Sequence, residues 1–182
     1  MIILITGDKG FIGSHLRESL IDEGHIVLGF DHEDDYDVGN ITDDIVKKVN
    51  KIVHLAAYPD VRASMEEPEK WYENNVIKSN RLFELCNKYD TQCIYASSSC
   101  VKEWWRSPYG TSKKVMEDMA NVIGRFVGLR FSNVYGDNGR ETMLLPLMLK
   151  GKLKYCTNHI RDFVHVNDVV ECIKLFLRMD NF

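Results

Sequence analysis

The first thirteen residues constrain the fold more than any other part of the chain. Ile2 to Ile5 is an unbroken apolar run, too short to cross a bilayer and typical of a buried parallel strand. Three glycines follow at positions 7, 10 and 13, and apolar residues then recur at helical spacing until Glu23. The segment therefore predicts a strand, a glycine-rich turn and a helix.

Such a turn has a specific chemical use. Free N–H groups at the start of a helix, together with the helix dipole, bind a pyrophosphate, and a side chain at Gly10 would block its approach. A second predicted strand, 25–30, ends at Asp31, 18 positions after Gly13, where an acid can receive the adenosine ribose hydroxyls. An acid there repels a 2′-phosphate and favours NAD over NADP. The alternative reading of Asp31 is a turn residue that ends a strand.

The rest of the chain alternates short apolar runs with amphipathic stretches. Strands are predicted at 51–57, 92–96 and 125–130, and helices at 68–89, after Pro108, at 142–149 and at 167–179. This rhythm predicts an α/β fold of the Rossmann type, a doubly wound parallel sheet with helices on both faces. We expect one NAD-binding domain over residues 1–182, in which 133–182 forms a much reduced substrate-binding region.

A tyrosine and a lysine stand four positions apart in the predicted helix after Pro108. Residues at this spacing share one helix face, so the ammonium of Lys113 can lie beside the phenol of Tyr109. A neighbouring cation favours the phenolate and lowers the pKa of a tyrosine from its usual value near ~10. Tyr109 is thus a candidate general acid/base, although an isolated pair at this spacing is more often a solvated helix face.

Composition excludes several classes. The net charge is −4 with 23 scattered Lys and Arg residues, and no basic stripe suggests nucleic-acid binding. No segment is long enough to cross a membrane or has the features of a signal peptide. Five cysteines without zinc-ligand spacing predict free thiols, no metal site and a cytoplasmic location.

Several motifs taken together resemble the extended short-chain dehydrogenase/reductase family, and within it the NAD-dependent nucleotide-sugar epimerases and dehydratases. The resemblance covers nearly the whole chain and is closest to UDP-glucose 4-epimerase-like members. The matching segments are Thr6-Gly-Asp-Lys-Gly-Phe-Ile-Gly13, Asp31, His54-Leu-Ala-Ala57, Asn74-Asn-Val76, Tyr95-Ala-Ser-Ser-Ser99, Tyr109-Gly-Thr-Ser-Lys113, Leu129-Arg-Phe-Ser-Asn-Val-Tyr-Gly136 and Arg161-Asp-Phe-Val-His-Val166.

The resemblance implies roles for individual residues. Ser98 would hydrogen-bond the reacting sugar oxygen, Tyr109 would exchange the hydroxyl proton, and Lys113 would lower the tyrosine pKa and bind the nicotinamide ribose. Asn75 would support the site through the middle helix. Ser97 would take the role assigned to Ser98 if the alignment were shifted by one position. The implied cofactor-binding set is Gly7, Gly10, Phe11, Ile12, Gly13, Asp31, Asn40, Ile41, Leu55, Ala56, Ala57, Asn75, Ser97, Tyr109, Lys113 and Phe131.

Two further residues are implied as substrate contacts besides Ser98. Asn133 resembles the asparagine that meets the nucleotide diphosphate, and Arg161 could pair with a phosphate. Each has an alternative reading, since Asn133 could be a turn residue and Arg161 could pair with Asp162. The implied reaction is the reversible oxidation of a sugar hydroxyl to a keto sugar, with NAD regenerated in each turnover.

The chain also departs from the family. Dehydratases place an acidic pair after the catalytic serine or threonine, whereas Ser99 and Cys100 follow Ser98 here, which disfavours that branch. The segments between Ser98 and Tyr109 and between Asn133 and Arg161 are short, and we expect most of the sugar-binding lid to be absent. The alternatives to an epimerase are a dehydratase or keto-sugar reductase of the same family and a catalytically incomplete NAD-binding module.

Relatives commonly form homodimers through two helices, which correspond here to Pro68–Tyr89 and Gly110–Ile123. Met116, Met119 and Val122 are candidates for that interface, but they could equally belong to the core. The resemblance thus implies a homodimer that takes a nucleotide-diphosphate sugar as its substrate.

Overall fold

The computed structural model describes residues 1–34, 36–154, 158 and 160–181. Its centre is a sheet of five parallel strands, each followed along the chain by helical segments on one face or the other. The strands are β1 (Ile2–Thr6), β2 (Ile26–Phe30), β3 (Lys51–His54), β4 (Gln92–Ser98) and β5 (Phe126–Phe131). They lie in the order β2-β1-β3-β4-β5.

Eight α-helices accompany the strands in the described part of the chain. Their bounds are α1 (Phe11–Asp22), α2 (Asp43–Val46), α3 (Val61–Glu66), α4 (Pro68–Tyr72), α5 (Lys78–Lys88), α6 (Pro108–Ile123), α7 (Leu144–Leu149) and α8 (Val166–Leu177). Short 3-10 turns cover His32–Asp34, Val38–Asn40 and Ser99–Arg106.

Alternate side chains of the central strands point to opposite faces and form two separate cores. Leu4 and Ile52 belong to a cluster with Leu82 and Phe83 of α5 and Met116 of α6. On the other face, residues of β1, β3 and β4 pack against α1 and α8 in a second cluster, which includes Ile3, Ile5, Val53, Ile94, Leu16, Leu20, Val169 and Ile173. The prediction of a doubly wound parallel sheet is confirmed.

The predicted helix over 68–89 is present but interrupted. A π-helical segment, Glu73–Ile77, joins α4 to α5, and a separate helix, α3, precedes Pro68. Extra residues of this kind bulge a helix locally and change which side chains face inward, and they occur often at functional sites. Here the bulge carries Asn75, whose side chain is fully buried.

A small second sheet was not predicted. Strand β6 (Asn133–Tyr135) pairs in parallel with β7 (Phe163–His165), and α7 lies in the segment between them. Immediately after β7, α8 returns to the main core, where Val166 and Ile173 are fully buried. The predicted substrate-binding region 133–182 thus includes α8, which belongs to the layer that covers the central sheet.

The structure describes most of the cysteines and candidate interface residues named above. Cys86, Cys93, Cys100 and Cys172 are free thiols, while Cys156 lies outside the described residues. Within the described ranges, no helix has the length and apolar character needed to cross a bilayer. Of the candidate interface residues, Met116 is fully buried in the core, whereas Val122 is 87% exposed.

His54 links β3 to its neighbours by hydrogen bonds inside the protein. Its Nδ1 lies 2.7 Å from Thr6 Oγ1 and its Nε2 lies 2.8 Å from Ser79 Oγ. Burial, aided by the positive charge of Lys113, lowers the pKa of His54 to about 3. The imidazole is therefore neutral at physiological pH, in agreement with the structural role expected for a histidine in an apolar strand.

This buried imidazole predicts a loss of stability in acid. The unfolded chain binds a proton at His54 below about pH 6.5, whereas the folded chain resists it until about pH 3, so stability falls as pH falls through that window. We expect His54 to account for on the order of 3 kcal/mol of the loss between pH 7 and pH 4. Urea denaturation at both pH values should show a smaller difference in His54→Gln than in the wild type.

His15 provides the control for this measurement, because it sits on a partly exposed helix surface and its ring bonds only the carbonyl of Phe11. The variant His15→Gln should keep the wild-type pH dependence. An unchanged pH dependence in His54→Gln would show that the acid sensitivity arises from other groups.

Candidate active site

The site lies beside β1, where the chain connects to neighbouring strands on opposite sides. Strand β2 lies on one side of β1 and β3 on the other, and ligands of open parallel sheets bind outside the carboxyl ends of the strands at such a point. The two chain segments that leave β1 and β3 come very close there. A Cβ added at Gly7 would lie 2.7 Å from the nitrogen of Ala56, so the groove floor requires glycine at that position.

The glycine turn presents the start of α1 to this groove. The N–H of Gly10 donates to the carbonyl of Gly7 at 3.0 Å, and no side chain caps the helix. The first-turn N–H groups of a helix have no carbonyl partner within the helix, so those of Phe11, Ile12 and Gly13 are suited to an anion. A Cβ at Gly10 would meet only the Gly7 oxygen, at 3.2 Å, which leaves its outer side open.

Asp31 follows β2 and lies beside the glycine turn. Its carboxylate accepts hydrogen bonds from the N–H groups of Lys9 at 3.2 Å and Glu33 at 3.1 Å, and it lies 3.0 Å from Nδ1 of His32. The binding of the adenosine ribose by Asp31 stays a prediction. The sequence analysis missed a second buried acid, Asp8, which pairs with Arg17 behind the turn.

The other predicted cofactor residues divide between the groove and the core. Leu55, Ala56 and Ala57 follow β3 and are partly buried, as is Phe131 at the end of β5. Asn40 is exposed at the end of a short turn, whereas Ile41 is 1% exposed and lies in the core. The side chain of Ile41 is thus enclosed by the protein, and its predicted contact with adenine stays a prediction.

Ser98 and Tyr109 come together at the carboxyl end of β4. Ser98 is the last residue of the strand, and Tyr109 lies in the first turn of α6, where Ser107 caps the helix by accepting from the N–H of Gly110. The side chains of Ser98 and Tyr109 lie close enough for the serine hydroxyl to favour the ionised phenol and lower its pKa, and both are less than a tenth exposed. A hydroxyl and a phenol thus meet at one point of the groove.

Lys113 lies one helical turn further along α6. Its Nζ donates to the carbonyl of Ala96 at 2.8 Å and lies 3.6 Å from Sδ of Met116. The side chain is 2% exposed, and burial lowers the pKa of Lys113 to about 7. With this pKa, part of the protein would carry Lys113 as a neutral amine at pH 7. An additional hydrogen-bond acceptor in the groove would favour the charged ammonium.

The acidity of Tyr109 differs from the expectation. Burial raises the pKa of Tyr109, and the hydrogen bond from Ser98 and the positive charge of Arg140 lower it only in part. The predicted lowering by Lys113 is not seen in this structure, because the Lys113 Nζ is directed to a strand carbonyl. Ser98 and Arg140 are the groups that favour the phenolate.

The alternation of β4 separates Ser97 from the site. The Ser97 hydroxyl donates to Oε1 of Glu117 on α6. The Glu117 carboxylate also accepts hydrogen bonds from Nε and Nη2 of Arg130 on β5, at 2.8 and 2.6 Å. The side chain of Ser97 is 3% exposed. The Ser97 hydroxyl is thus bonded to Glu117, and its predicted cofactor contact stays a prediction.

Asn75 joins three segments around the site. Its amide accepts from the N–H of Tyr58 at 2.9 Å and donates to the carbonyl of Tyr58 and to the hydroxyl of Ser112. Ser112 in turn donates to the carbonyl of Tyr109 at 2.8 Å. Asn75 is fully buried and positions the loop after β3 against α6, while its predicted place in the cofactor-binding set stays a prediction.

A large cavity of about 1120 Å³ opens beside this groove. Asn133 and Arg161, the two predicted substrate contacts, both lie on its wall. Asn133 donates to the carbonyl of Asp162, and Arg161 donates to the carbonyl of Ile160. The cavity wall also contains Arg140, which sequence reasoning missed because it lies in an irregular segment without periodicity.

The fold and the groove define a dinucleotide-binding enzyme with a tyrosine and a lysine on one helix. The sequence matches the NAD dependent epimerase/dehydratase family over residues 3–182. The chain belongs to this family. The predictions of the family and of its NAD dependence are confirmed.

Two curated proteins illustrate the relationship. Protein CapI of Staphylococcus aureus is 32% identical over 232 aligned residues, which cover 98% of this chain and 70% of CapI. The UDP-glucose 4-epimerase of Lactobacillus helveticus is 28% identical, with 98% of this chain and 72% of that enzyme covered. Because the CapI alignment spans 232 positions and the chain has 182 residues, at least 50 positions inside the matched region have no counterpart here.

Solved structures give the same picture. MoeE5 in complex with UDP-glucuronic acid and NAD has a TM-score of 0.87 at 28% identity, covering all of this chain and 73% of MoeE5. MoeE5 in complex with UDP-glucose and NAD has the same TM-score at 30% identity, with 98% of this chain and 72% of MoeE5 covered. The fold is thus shared with a protein solved with both an acidic and a neutral nucleotide sugar.

Proposed function

We propose that this protein is an NAD-dependent nucleotide-sugar 4-epimerase. The observation that carries the proposal is the juxtaposition of Ser98, at the end of β4, and Tyr109, in the first turn of α6, with Lys113 on the same helix. A phenol beside a serine hydroxyl can exchange a proton with a sugar hydroxyl placed between them. The name of the Lactobacillus helveticus relative supports the reaction type.

The groove fits the proposed cofactor through residues of three strand ends. The first-turn N–H groups of α1 would hold the pyrophosphate, Asp31 the adenosine ribose and Lys113 the nicotinamide ribose. The groove between Gly7 and Ala56 leaves no room for a side chain at the close approach of β1 and β3. Bound NAD would supply a reversible hydride acceptor for the sugar carbon.

In the proposed reaction, Tyr109 removes the proton of the sugar 4-hydroxyl as the carbon becomes a ketone. Ser98 donates its hydroxyl to the reacting oxygen and holds it against the phenol. Tyr109 then returns the proton after the sugar has turned its other face to the groove. Asn133 and Arg161 bind the nucleotide diphosphate in this proposal, because both face the adjoining cavity.

An acid pair for elimination is not found after Ser98. The next residues are Ser99 and Cys100, and the nearest following acid, Glu103, is 52% exposed and pairs with Arg106 at 2.9 Å. A dehydratase requires an acid in the site to expel water. We therefore propose epimerisation rather than dehydration.

We also propose that the chain forms a single NAD-binding domain and a cytoplasmic homodimer. Exposed apolar side chains lie on the two helical regions expected at the interface, with Tyr72 and Ile77 on one and Val122 on the other. The free thiols of the four described cysteines are compatible with a reducing compartment.

Incubation with NAD and a panel of UDP-, GDP- and dTDP-sugars tests the proposal. Products are separated by chromatography while the absorbance of the reduced cofactor is followed. A new sugar epimer without net reduction of NAD is the expected result. Net consumption of NAD with a keto-sugar product would indicate an oxidoreductase, and NAD binding without conversion would indicate a binding module.

A further inference from the structure

An ion pair lies behind the glycine turn, next to the groove. Asp8, which follows Gly7 in that turn, is 2% exposed, and its Oδ2 pairs with Nη1 of Arg17 on α1. The other carboxylate oxygen, Oδ1, is buried and has no hydrogen-bond partner among the residues that the structure describes. A buried carboxylate is costly unless a cation offsets its charge, and Arg17 supplies that cation here.

The pair stands directly over β2. A Cβ added at Gly29 would overlap the carboxylate of Asp8 and lie 2.6 Å from Nη1 of Arg17, so glycine at this position makes room for both side chains. Asp31 comes two positions after Gly29. Positions two apart in an extended chain face the same side, about 7 Å from each other. The ion pair is therefore the neighbour of Asp31 on one side of β2.

A second contact supports this placement. The N–H of Lys9, the residue after Asp8, donates to Oδ2 of Asp31 at 3.2 Å. Asp31 is thus joined to the same turn that carries Asp8. Two buried acids, 2% and 5% exposed, lie side by side at the end of β2, and a guanidinium belongs to one of them.

The chemistry of the two nicotinamide cofactors gives this arrangement a use. NADP differs from NAD by a phosphate in place of the 2′-hydroxyl of the adenosine ribose. If Asp31 holds that ribose, the phosphate comes next to Asp8 and Arg17. The carboxylate repels it, and the guanidinium, a group well suited to phosphate, is already engaged by Asp8.

We propose that the Asp8–Arg17 pair is a second determinant of cofactor choice, which disfavours NADP by withholding the Arg17 guanidinium from the 2′-phosphate. The inference rests on the ribose site at Asp31 that belongs to the proposed function. It assigns to Asp8 a part in specificity that the glycine spacing of the turn does not require.

Equilibrium titration with NAD and with NADP tests the inference. Asp8→Asn keeps the shape of the side chain and removes its charge, so NADP should bind at least about tenfold more tightly while NAD affinity changes less than about threefold. The double variant Asp8→Asn/Arg17→Gln lacks both charges of the pair. Its NADP affinity should return to within about threefold of the wild type, and high salt should reduce the gain of the single variant.

Glu23→Gln is the matched control. It makes the same change in net charge at the opposite end of α1, where Glu23 pairs with Lys174 at 2.6 Å. Both cofactors should bind this variant as they bind the wild type. Unchanged NADP affinity in Asp8→Asn, or an equal change for both cofactors, would overturn the inference. If urea denaturation shows that Asp8→Asn does not fold, the smaller uncharged Asp8→Ser carries the same expectation.

Asp31→Asn separates the inference from the proposed ribose site. This variant should raise the affinity for NADP relative to NAD if Asp31 holds the ribose. An unchanged ratio would reject that site within the proposed function. A raised ratio in Asp31→Asn together with wild-type NADP affinity in Asp8→Asn would keep the ribose site and reject the role of the Asp8–Arg17 pair.

Discussion

Replacing Tyr109 with phenylalanine should lower kcat by roughly 10²- to 10⁴-fold, because the variant keeps the ring in place and removes the group that exchanges the proton. Affinity for NAD should change less than about threefold, since the cofactor contacts proposed for the glycine turn and Asp31 are unaffected.

Turnover of a nucleotide sugar and equilibrium titration with NAD measure the two effects separately. Tyr89→Phe is a suitable control, because Tyr89 bonds Asp43 at the far end of α5 and does not reach the groove. This control should retain wild-type activity. Activity in Tyr109→Phe within tenfold of the wild type would remove Tyr109 from the proposed role.

Two glycines of the same turn should respond in opposite ways to replacement by alanine. A Cβ at Gly13 would overlap the carbonyl oxygen of Gly7 and come within 2.8 Å of the Cα of Asp8. Both are backbone atoms that cannot move without shifting β1 against α1. Gly13→Ala should therefore lower the free energy of unfolding by about 3 kcal/mol or more.

Gly10→Ala should instead leave the fold nearly unchanged. Gly10 has an extended backbone with φ of −67°, which alanine adopts readily, and its added Cβ would meet only the Gly7 oxygen. We expect a stability change within about 1 kcal/mol and at least about tenfold weaker NAD binding, because the methyl group would occupy the path to the N–H groups of α1. Urea denaturation and NAD titration of both variants measure these effects. Wild-type NAD affinity in Gly10→Ala would argue against pyrophosphate binding at this turn.

The five central strands could be predicted because each contains a short apolar run, and the three inner strands β1, β3 and β4 are buried over most of their length. Such runs carry their own signal, as in Ile2–Thr6 and Lys51–His54, and need no knowledge of their neighbours. Strands β6 and β7 have only three residues each and pair across 27 intervening positions, 136–162. No local periodicity predicts such a pair, because its stability comes from contact between segments that are distant in sequence.

The interrupted helix shows a related limit. Pro68 marks a helix start, and the apolar spacing beyond it indicates a single helix. The π-helical turn at 73–77 is set by the buried bonds of Asn75 to Tyr58 and Ser112, which belong to other elements. The residue was recognised from the family motif, but its structural role required the contacts.

The candidate site was predictable in its chemistry and less so in its geometry. The motifs identified Ser98, Tyr109 and Lys113, which the structure places around the end of β4 and the start of α6. They could not separate Ser97 from Ser98, because that choice depends on which face of the strand meets Glu117. Arg140 was missed since its importance lies in a cavity that forms only when distant segments fold together.

The small sheet of β6 and β7 has an evolutionary consequence. The pairing of β6 with β7 holds together the two ends of the intervening segment. Ser98, Tyr109 and Lys113 are held separately, by β4 and α6 of the main core. Insertions or exchanges between Tyr135 and Phe163 can therefore diversify the range of accepted sugars without disturbing the reacting groups. A laboratory graft of this segment from a relative with a longer loop would be a direct route to new specificity on an unchanged catalytic framework.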